Sequence, residues 1–88
     1  MQPSILIADD HPLVLKGLQD FLLEKGFYVI ASETNGKLAY QAIKEKQPDI
    51  AILDIRMPLM TGIEIAKACK DNNIKTKIVY QLYNSLMA

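Results

Sequence analysis

The fold is decided by a short stretch near the amino terminus, residues 4–10, which reads SILIADD. An apolar run from Ser4 to Ala8 is followed directly by two acids, Asp9 and Asp10. A continuous apolar run of this length is typical of a strand that is buried on both faces, as in parallel sheets. Pro12 then predicts the start of a helix, because its missing N–H costs nothing at the first helical position. The stretch therefore predicts a buried strand, two acids at its carboxyl end, and a helix.

The same alternation of strand and helix continues along the chain. Strand-like runs cover residues 27–31, 50–53 and 77–80, and helical spacing of apolar residues separates them. Gly26 predicts the end of the first helix, Pro48 limits the second, and Thr61 with Glu64 has the spacing of a capping box that starts the third. The residues expected to face inward are Val14, Leu18, Phe21, Leu22, Leu38, Ala39, Ala42, Ile43, Ile65, Ala66 and Cys69. Four strands alternating with three helices predict an α/β fold, a doubly wound parallel sheet with helices on both faces.

Composition narrows the class of protein further. The 88 residues are enough for one domain, and 50% hydrophobic with 23% charged residues is the balance of a folded globular chain. Ten basic residues cancel ten acidic ones, so we expect no direct nucleic-acid partner. The chain has neither a signal peptide nor an apolar run of about 20 residues, so we expect a cytoplasmic protein without membrane contact. Cys69 is alone, and any metal site must therefore use oxygen ligands.

Acids also follow the third strand-like run, where Asp54 comes directly after Leu53. Ligands of open α/β sheets bind at the carboxyl ends of the strands, so we expect Asp9, Asp10 and Asp54 to converge. If the first and third strands are neighbours, two carboxylates about 5 Å apart repel each other by roughly 3 kcal/mol at an effective dielectric constant of 20. A hard divalent cation would relieve this repulsion, and Mg²⁺ in particular binds one or two carboxylates and leaves room for phosphate oxygens. Asp54 is the better candidate nucleophile, because the adjacent acids are better placed to hold the ion.

Two segments of the sequence resemble the signature segments of two-component response-regulator receiver domains. They are residues 8–14, ADDHPLV, and residues 53–64, LDIRMPLMTGIE. The form DDHP followed by KGL at residues 16–18 is most similar to the NarL/LuxR branch of that family. The resemblance covers essentially the whole chain, and it implies a flavodoxin-like fold in which the four strands present have the order 2-1-3-4.

The resemblance also implies a function and a set of site residues. Asp54 would accept a phosphoryl group from a sensor histidine kinase, and Asp9, Asp10 and Asp54 would bind Mg²⁺ together with the backbone carbonyl of Arg56. The module would not be an enzyme acting on a metabolite, because its product is its own acyl phosphate. Residues 1–88 would form a single incomplete receiver domain without an output domain, and a longer parent protein would regulate transcription.

Departures from the family pattern keep other readings open. The family needs a hydroxyl residue at the end of the fourth strand, where Gln81 and Leu82 stand, and its fifth strand, lysine and last helix have no counterpart before residue 88. An alternative is therefore a phosphorylation-incompetent interaction or dimerisation module. A free-standing Mg²⁺-dependent phosphatase is weaker, because such enzymes generally carry a second acid where Arg56 stands.

The fourth strand also suggests how the chain assembles. Without a fifth strand, residues 77–82 form a sheet edge with unpaired backbone groups, and such edges recruit other chains. We therefore expect a homodimer through this edge. The residues expected in the contact are Tyr80, Leu82, Tyr83, Leu86 and Met87.

Two other side chains are assigned plainer roles. We expect His11 at a helix start or the rim of the site, and Cys69 in the core.

Overall fold

The architecture is an alternating α/β chain, described for residues 2–81 by a computed structural model. Its elements in chain order are β1 (Ser4–Ala8), α1 (Pro12–Glu24), β2 (Tyr28–Glu33), α2 (Gly36–Lys46), β3 (Ile50–Asp54), α3 (Gly62–Asp71) and β4 (Lys77–Gln81). All strand pairs are parallel, and the strands lie in the order β2-β1-β3-β4. The predicted doubly wound parallel sheet of order 2-1-3-4 is confirmed.

The core has two layers, one on each face of the sheet. Ile5 and Ile7 of β1 pack with Leu15 and Leu22 of α1 on one face. On the other face, a larger cluster joins the sheet to α2 and α3, with the buried residues Leu6, Ala8, Ala39, Ala42, Ile43, Ala51, Leu53, Met57, Ile65 and Cys69. Alternate residues of β1 thus contribute to both clusters, as its uninterrupted apolar run predicts. This central strand carries its two acids to the carboxyl edge of the sheet.

Strand β2 begins and ends later than the sequence suggests. It spans Tyr28–Glu33 instead of residues 27–31, because it pairs with β1 as far as Ala8 and Glu33. Phe27 belongs to the preceding turn, where its N–H donates to the carbonyl of Leu22 at 2.9 Å. Gly26 has φ of +86°, the left-handed conformation predicted for the residue that ends α1.

The buried face of two helices is rotated from the predicted one. In α1 the buried residues are Leu15 and Leu22, whereas Phe21 is 55% exposed. In α2 the buried face is formed by residues 39, 42 and 43, and Leu38 is 46% exposed. Adjacent residues are about 100° apart around a helix, so Phe21 and Leu38 lie at the margin of a face centred on their neighbours.

Helix α3 starts with the predicted capping box. The Thr61 hydroxyl oxygen accepts a hydrogen bond from the Glu64 N–H at 3.1 Å, and the Glu64 carboxylate accepts one from the Thr61 N–H at 2.9 Å. These bonds satisfy two donors that the first turn would otherwise leave unpaired. None of the helices in residues 2–81 combines the length and the apolar character needed to cross a membrane.

Candidate acidic site at the carboxyl edge of the sheet

The sheet brings the three predicted aspartates together. β1 and β3 are hydrogen-bonded neighbours in which Ala8 pairs with Leu53, so Asp9 and Asp54 leave adjacent strands at the same edge. Asp9 is 1% and Asp54 4% exposed, whereas the Asp10 side chain is 34% exposed. Together with His11, each of these residues offers one ligand atom, and the four atoms all lie within 4.8 Å of one another. The predicted convergence of the acids is confirmed.

His11 belongs to this cluster more closely than its sequence position indicated. Its Nδ1 atom lies 3.0 Å from Oδ1 of Asp9 and 3.0 Å from Oδ1 of Asp10. The hydrogen bond to Asp9, followed by the charge of Asp10, raises the pKa of His11 above its usual value. His11 occupies the N-cap position of α1, but its side chain makes no capping hydrogen bond. The imidazole therefore contacts the acids and does not cap the helix. The only sequence signal for this contact is that His11 directly follows Asp9 and Asp10.

Asp54 has a carboxyl group that is easier to protonate than an ordinary aspartate. Burial is the largest cause of its raised pKa, and the charge of Asp9 adds to it. A hydrogen bond from the Arg56 N–H to Oδ1 of Asp54, at 3.4 Å, acts in the opposite direction. The role predicted for the Arg56 carbonyl stays a prediction.

Two buried polar atoms without hydrogen-bond partners belong to residues at the carboxyl edge of the sheet. Oδ2 of Asp9 and Oε1 of Gln81 are the buried side-chain oxygens or nitrogens that lack a partner within residues 2–81. Asp9 follows β1 and Gln81 ends β4, the two strands on either side of β3. Buried polar atoms are nearly always hydrogen-bonded, so the unpartnered oxygen of Asp9, a member of the acidic cluster, indicates a place for a bound ion or polar group. The free Asp9 oxygen is the ligand type that Mg²⁺ prefers, so the donor set fits a hard cation.

The loop after Asp54 is held close to the site by two glycines. A Cβ at Gly62 would lie 2.7 Å from the backbone oxygen of Asp54, and one at Gly36 would overlap the backbone oxygen of Met60. The Gly36 N–H also donates to the carbonyl of Pro58 at 3.2 Å. The start of α2 and the loop that follows Asp54 are therefore in direct backbone contact.

Comparison with known proteins agrees with this site. Residues 5–81 match the family model described as the response regulator receiver domain. Chemotaxis protein CheY of Bacillus subtilis is 37% identical over 79 residues, covering 90% of this chain and 66% of CheY. Transcriptional regulatory protein DesR of the same organism is 40% identical over 77 residues, covering 86% of this chain and 39% of DesR. An uncharacterized response regulatory protein of Vibrio cholerae is 47% identical over 66 residues, covering 73% of this chain and 25% of that protein.

Solved structures give the same result at the level of the fold. A DNA-binding response regulator of the LuxR family from Staphylococcus aureus aligns with a TM-score of 0.83 at 32% identity, covering 89% of this chain and 66% of that one. The signal receiver domain of a Mycobacterium tuberculosis response regulator described as NarL aligns with a TM-score of 0.88 at 32% identity, covering 90% and 64%.

The chain therefore belongs to the response regulator receiver domain family. Members of this family are the phosphoacceptor modules of two-component systems, and that predicted class is confirmed. Its structural neighbours include receiver domains of the NarL and LuxR type, as the segment at residues 8–18 predicted. The chain spans between a quarter and two thirds of the length of these curated relatives.

Proposed function

We propose that this chain accepts a phosphoryl group on Asp54 from a phosphohistidine of a partner sensor kinase. The observation that carries the proposal is the gathering of Asp9, Asp10 and Asp54 within a few ångströms at the carboxyl edge of a receiver-type sheet. Of the three, Asp54 is the last residue of β3, the strand that lies between β1 and β4. Membership of the receiver family supports this assignment.

The residues of the acidic site would hold Mg²⁺ in carrying out this function. Asp9, Asp10 and Asp54 would supply carboxylate oxygens, and Arg56 would add its backbone carbonyl. The unpartnered, buried Oδ2 of Asp9 supports a cation there, because a carboxylate oxygen in that position needs a positive partner. When bound, the ion supplies positive charge that offsets the negative charge of the phosphoryl oxygens.

The chemistry falls to the Asp54 carboxylate. One of its oxygens forms a bond to phosphorus, the P–N bond of the phosphohistidine breaks, and the imidazole nitrogen keeps that electron pair and regains a proton. The product is an acyl phosphate on Asp54, which stays attached to the chain, so the protein is a reactant and not an enzyme that turns over a metabolite. Hydrolysis returns the free carboxylate and inorganic phosphate.

Two experiments test the acceptor and the cation separately. Incubation with acetyl phosphate and Mg²⁺, followed by mass spectrometry, should show one phosphoryl adduct that is lost in Asp54→Asn and kept in Asp20→Asn, a control with the same charge change on the exposed face of α1. Calorimetric titration with Mg²⁺ should give weaker binding to Asp10→Asn than to the unaltered chain. An adduct retained in Asp54→Asn, or equal Mg²⁺ affinity in both chains, would contradict the respective assignment.

A phosphorylation-incompetent interaction module is the second candidate. The observation that favours it is the end of β4, where Gln81 pairs with Asp54 and neither Gln81 nor Leu82 supplies the hydroxyl group that the family resemblance implies. An intact, folded chain that forms no adduct with acetyl phosphate in the presence of Mg²⁺ would establish this alternative over the first.

The proposal extends to assembly and setting. We infer a homodimer through β4, since no strand within residues 2–81 pairs with its outer edge and Val79 is 40% exposed there. The contact predicted for residues 82–87 lies outside the described residues. Light scattering at micromolar concentration tests the dimer, and a monomer with a concentration-independent melting temperature contradicts it.

The setting proposed is the cytoplasm, in a longer protein that regulates transcription, as the names of DesR and of the LuxR-family relative suggest.

A further inference from the structure

His11 adds a nitrogen atom to the acidic site. Its Nδ1 atom lies 3.0 Å from Oδ1 of Asp9 and 3.0 Å from Oδ1 of Asp10. One ligand atom from each of these three residues and one from Asp54 all lie within 4.8 Å of one another. The backbone N–H of His11 also donates to Oδ1 of Asp9 at 2.8 Å, so the main chain fixes the base of the side chain beside that acid. The site therefore offers three carboxylates and one imidazole.

The spacing of these atoms suits ligands of one divalent ion. Ligand atoms about 2.1 Å from an ion are about 3.0 Å apart as neighbours in a six-coordinate shell and about 3.4 Å apart in a tetrahedral one. Both distances from Nδ1 of His11 fall in this range. The 4.8 Å limit means that the farther carboxylate oxygens need to move by only about 1 Å. An ion at the centre takes the place of any hydrogen on Nδ1, and the neutral ring then carries its hydrogen on Nε2.

A second observation, independent of this spacing, points to an ion in the cluster. Oδ2 of Asp9 is buried and has no hydrogen-bond partner within residues 2–81, and Asp9 as a whole is 1% exposed. The imidazole of His11 contacts the other oxygen of the same carboxylate. A buried carboxylate oxygen has lost the water that would otherwise satisfy it, so it needs a positive partner. A cation in the cluster supplies that partner.

The imidazole determines which class of ion the donor set favours. Mg²⁺ prefers oxygen ligands and is usually held by one or two carboxylates with several waters, whereas imidazole nitrogen suits Zn²⁺, Ni²⁺ and Cu²⁺. One nitrogen ligand among the carboxylates therefore shifts the preference towards these transition metals. We propose that the acidic site binds a divalent transition-metal ion of the zinc class, with Nδ1 of His11 as a direct ligand beside the three aspartates, and that this ion competes with Mg²⁺.

The proposed ion has a consequence for phosphorylation, and this consequence alone rests on the proposed acceptor function. Asp54 belongs to the same ligand set, so an ion held by all four residues engages the carboxylate that would attack phosphorus. Mg²⁺ keeps waters that phosphoryl oxygens can replace, whereas an ion with four protein ligands has little room for them. Zn²⁺ should therefore lower the yield of phosphoryl adduct from acetyl phosphate and Mg²⁺.

Nuclear magnetic resonance tests the nitrogen ligand on the unaltered chain. The sequence contains one histidine, so the imidazole signals of nitrogen-15 labelled protein report on His11 directly. Titration with Zn²⁺ in neutral buffer should shift the Nδ1 resonance and leave the hydrogen on Nε2, and titration with Mg²⁺ should not give this pattern. Imidazole signals that stay in place while the backbone amide of Asp54 shifts with Zn²⁺ would overturn His11 as a ligand.

Calorimetric titration of a matched variant measures the contribution of the ring. His11→Asn keeps a hydrogen-bond donor near the position of Nδ1 but removes the nitrogen ligand. Zn²⁺ should bind this variant at least roughly tenfold more weakly than the unaltered chain, whereas the affinity for Mg²⁺ should change by less than about threefold. Circular dichroism checks that the variant is folded, and excess Mg²⁺ should weaken the apparent binding of Zn²⁺ to the unaltered chain. Cys69, the only thiol in the sequence, is buried in the core and offers no competing ligand in the folded chain.

The outcomes separate the metal site from the acceptor function. Equal Zn²⁺ affinity in the unaltered chain and His11→Asn, or Zn²⁺ binding that Mg²⁺ does not weaken, would overturn the proposed site. An adduct yield that Zn²⁺ leaves unchanged would overturn the competition at Asp54. Zn²⁺ bound through His11, in a folded chain that forms no adduct with acetyl phosphate and Mg²⁺ alone, would support the metal site and overturn the acceptor function.

Discussion

Removing the charge of Asp54 is predicted to stabilise the metal-free protein. Ligand atoms of the acidic site lie within 4.8 Å of one another, and two unit charges at that distance repel by about 3 kcal/mol at an effective dielectric constant of 20. The Asp10 side chain is partly exposed to solvent, and His11 lies 3.0 Å from oxygens of two of the acids. Both features weaken the repulsion, so the effect is smaller than this figure. We expect Asp54→Asn to raise the free energy of unfolding by about 1–3 kcal/mol at pH 7 without metal.

The pH dependence of this gain has a definite sign. Burial and Asp9 raise the pKa of Asp54 in the folded state, so the native chain binds this proton more tightly than the unfolded chain does. The free energy of unfolding of the unaltered chain therefore falls as pH rises from about 3.9, the pKa of an unfolded aspartate, through the folded pKa. Asp54→Asn lacks this contribution, so its advantage should be small at low pH and reach its full size above the folded pKa.

Urea denaturation followed by circular dichroism, in chelator at several pH values, measures both effects. The control is Asp20→Asn, which removes an exposed charge paired with Lys16 and should change the free energy of unfolding by less than about 0.5 kcal/mol. Mg²⁺ at about 100 times its dissociation constant should stabilise the unaltered chain by about 2.7 kcal/mol and Asp54→Asn by less. A metal-free Asp54→Asn chain that is no more stable than the unaltered one at pH 7 would refute the reasoning.

Three further predictions concern the scaffold around the site. Gly36→Ala should destabilise the chain by more than about 2 kcal/mol in urea denaturation, because the new Cβ overlaps the Met60 carbonyl, whereas Gly17→Ala, with no atom within 4 Å, should stabilise α1 by about 0.5–1 kcal/mol. A stable Gly36→Ala chain would contradict the close contact. Thr61→Ala should cost about 1 kcal/mol in the same assay and Thr61→Ser much less, and equal losses would contradict a role for the hydroxyl in capping. Burial raises the pKa of the Cys69 thiol, so Cys69 should react with a thiol reagent at pH 8 only after denaturation, and rapid labelling of the native chain would contradict its core position.

The sheet and its acids were predictable because they depend on short, local patterns. A central parallel strand must be apolar on both faces, so the apolar runs at residues 4–8 and 50–53 predict two such strands. The acids that follow these runs must then meet at one edge of the sheet. Helix ends were predictable for the same reason at Gly26 and at Thr61, where backbone conformation or capping requires a particular residue type. The family resemblance added the strand order, which local patterns alone leave open.

What the sequence could not predict depends on contacts between distant segments. The exposure of Phe21 and Leu38 follows from how each helix is rotated against the sheet, and one residue of rotation exchanges a buried position for an exposed one. His11 was expected at the helix start or the rim of the site, and the structure favours the second position, with the ring 3.0 Å from carboxylate oxygens of Asp9 and Asp10. This contact is local, but the direction of the side chain depends on the fold. The unpartnered amide oxygen of Gln81 becomes visible only when burial is known.

The loop after Asp54 combines a strained conformation with tight external contacts, and this combination bears on how precisely the site is held. Leu59 has φ of +72° and is 76% exposed. It lies in a tight turn in which the Met60 N–H donates to the Pro58 carbonyl at 2.8 Å. A side-chain-bearing residue adopts this conformation at a cost of order 1–3 kcal/mol, and the apolar side chain of Leu59 recovers little by burial. The compensation must come from outside the turn, and the Pro58 carbonyl also accepts the Gly36 N–H. The start of α2 therefore helps to hold this loop in its strained form, so we expect the position of the loop after Asp54 to depend on α2 as well as on β3.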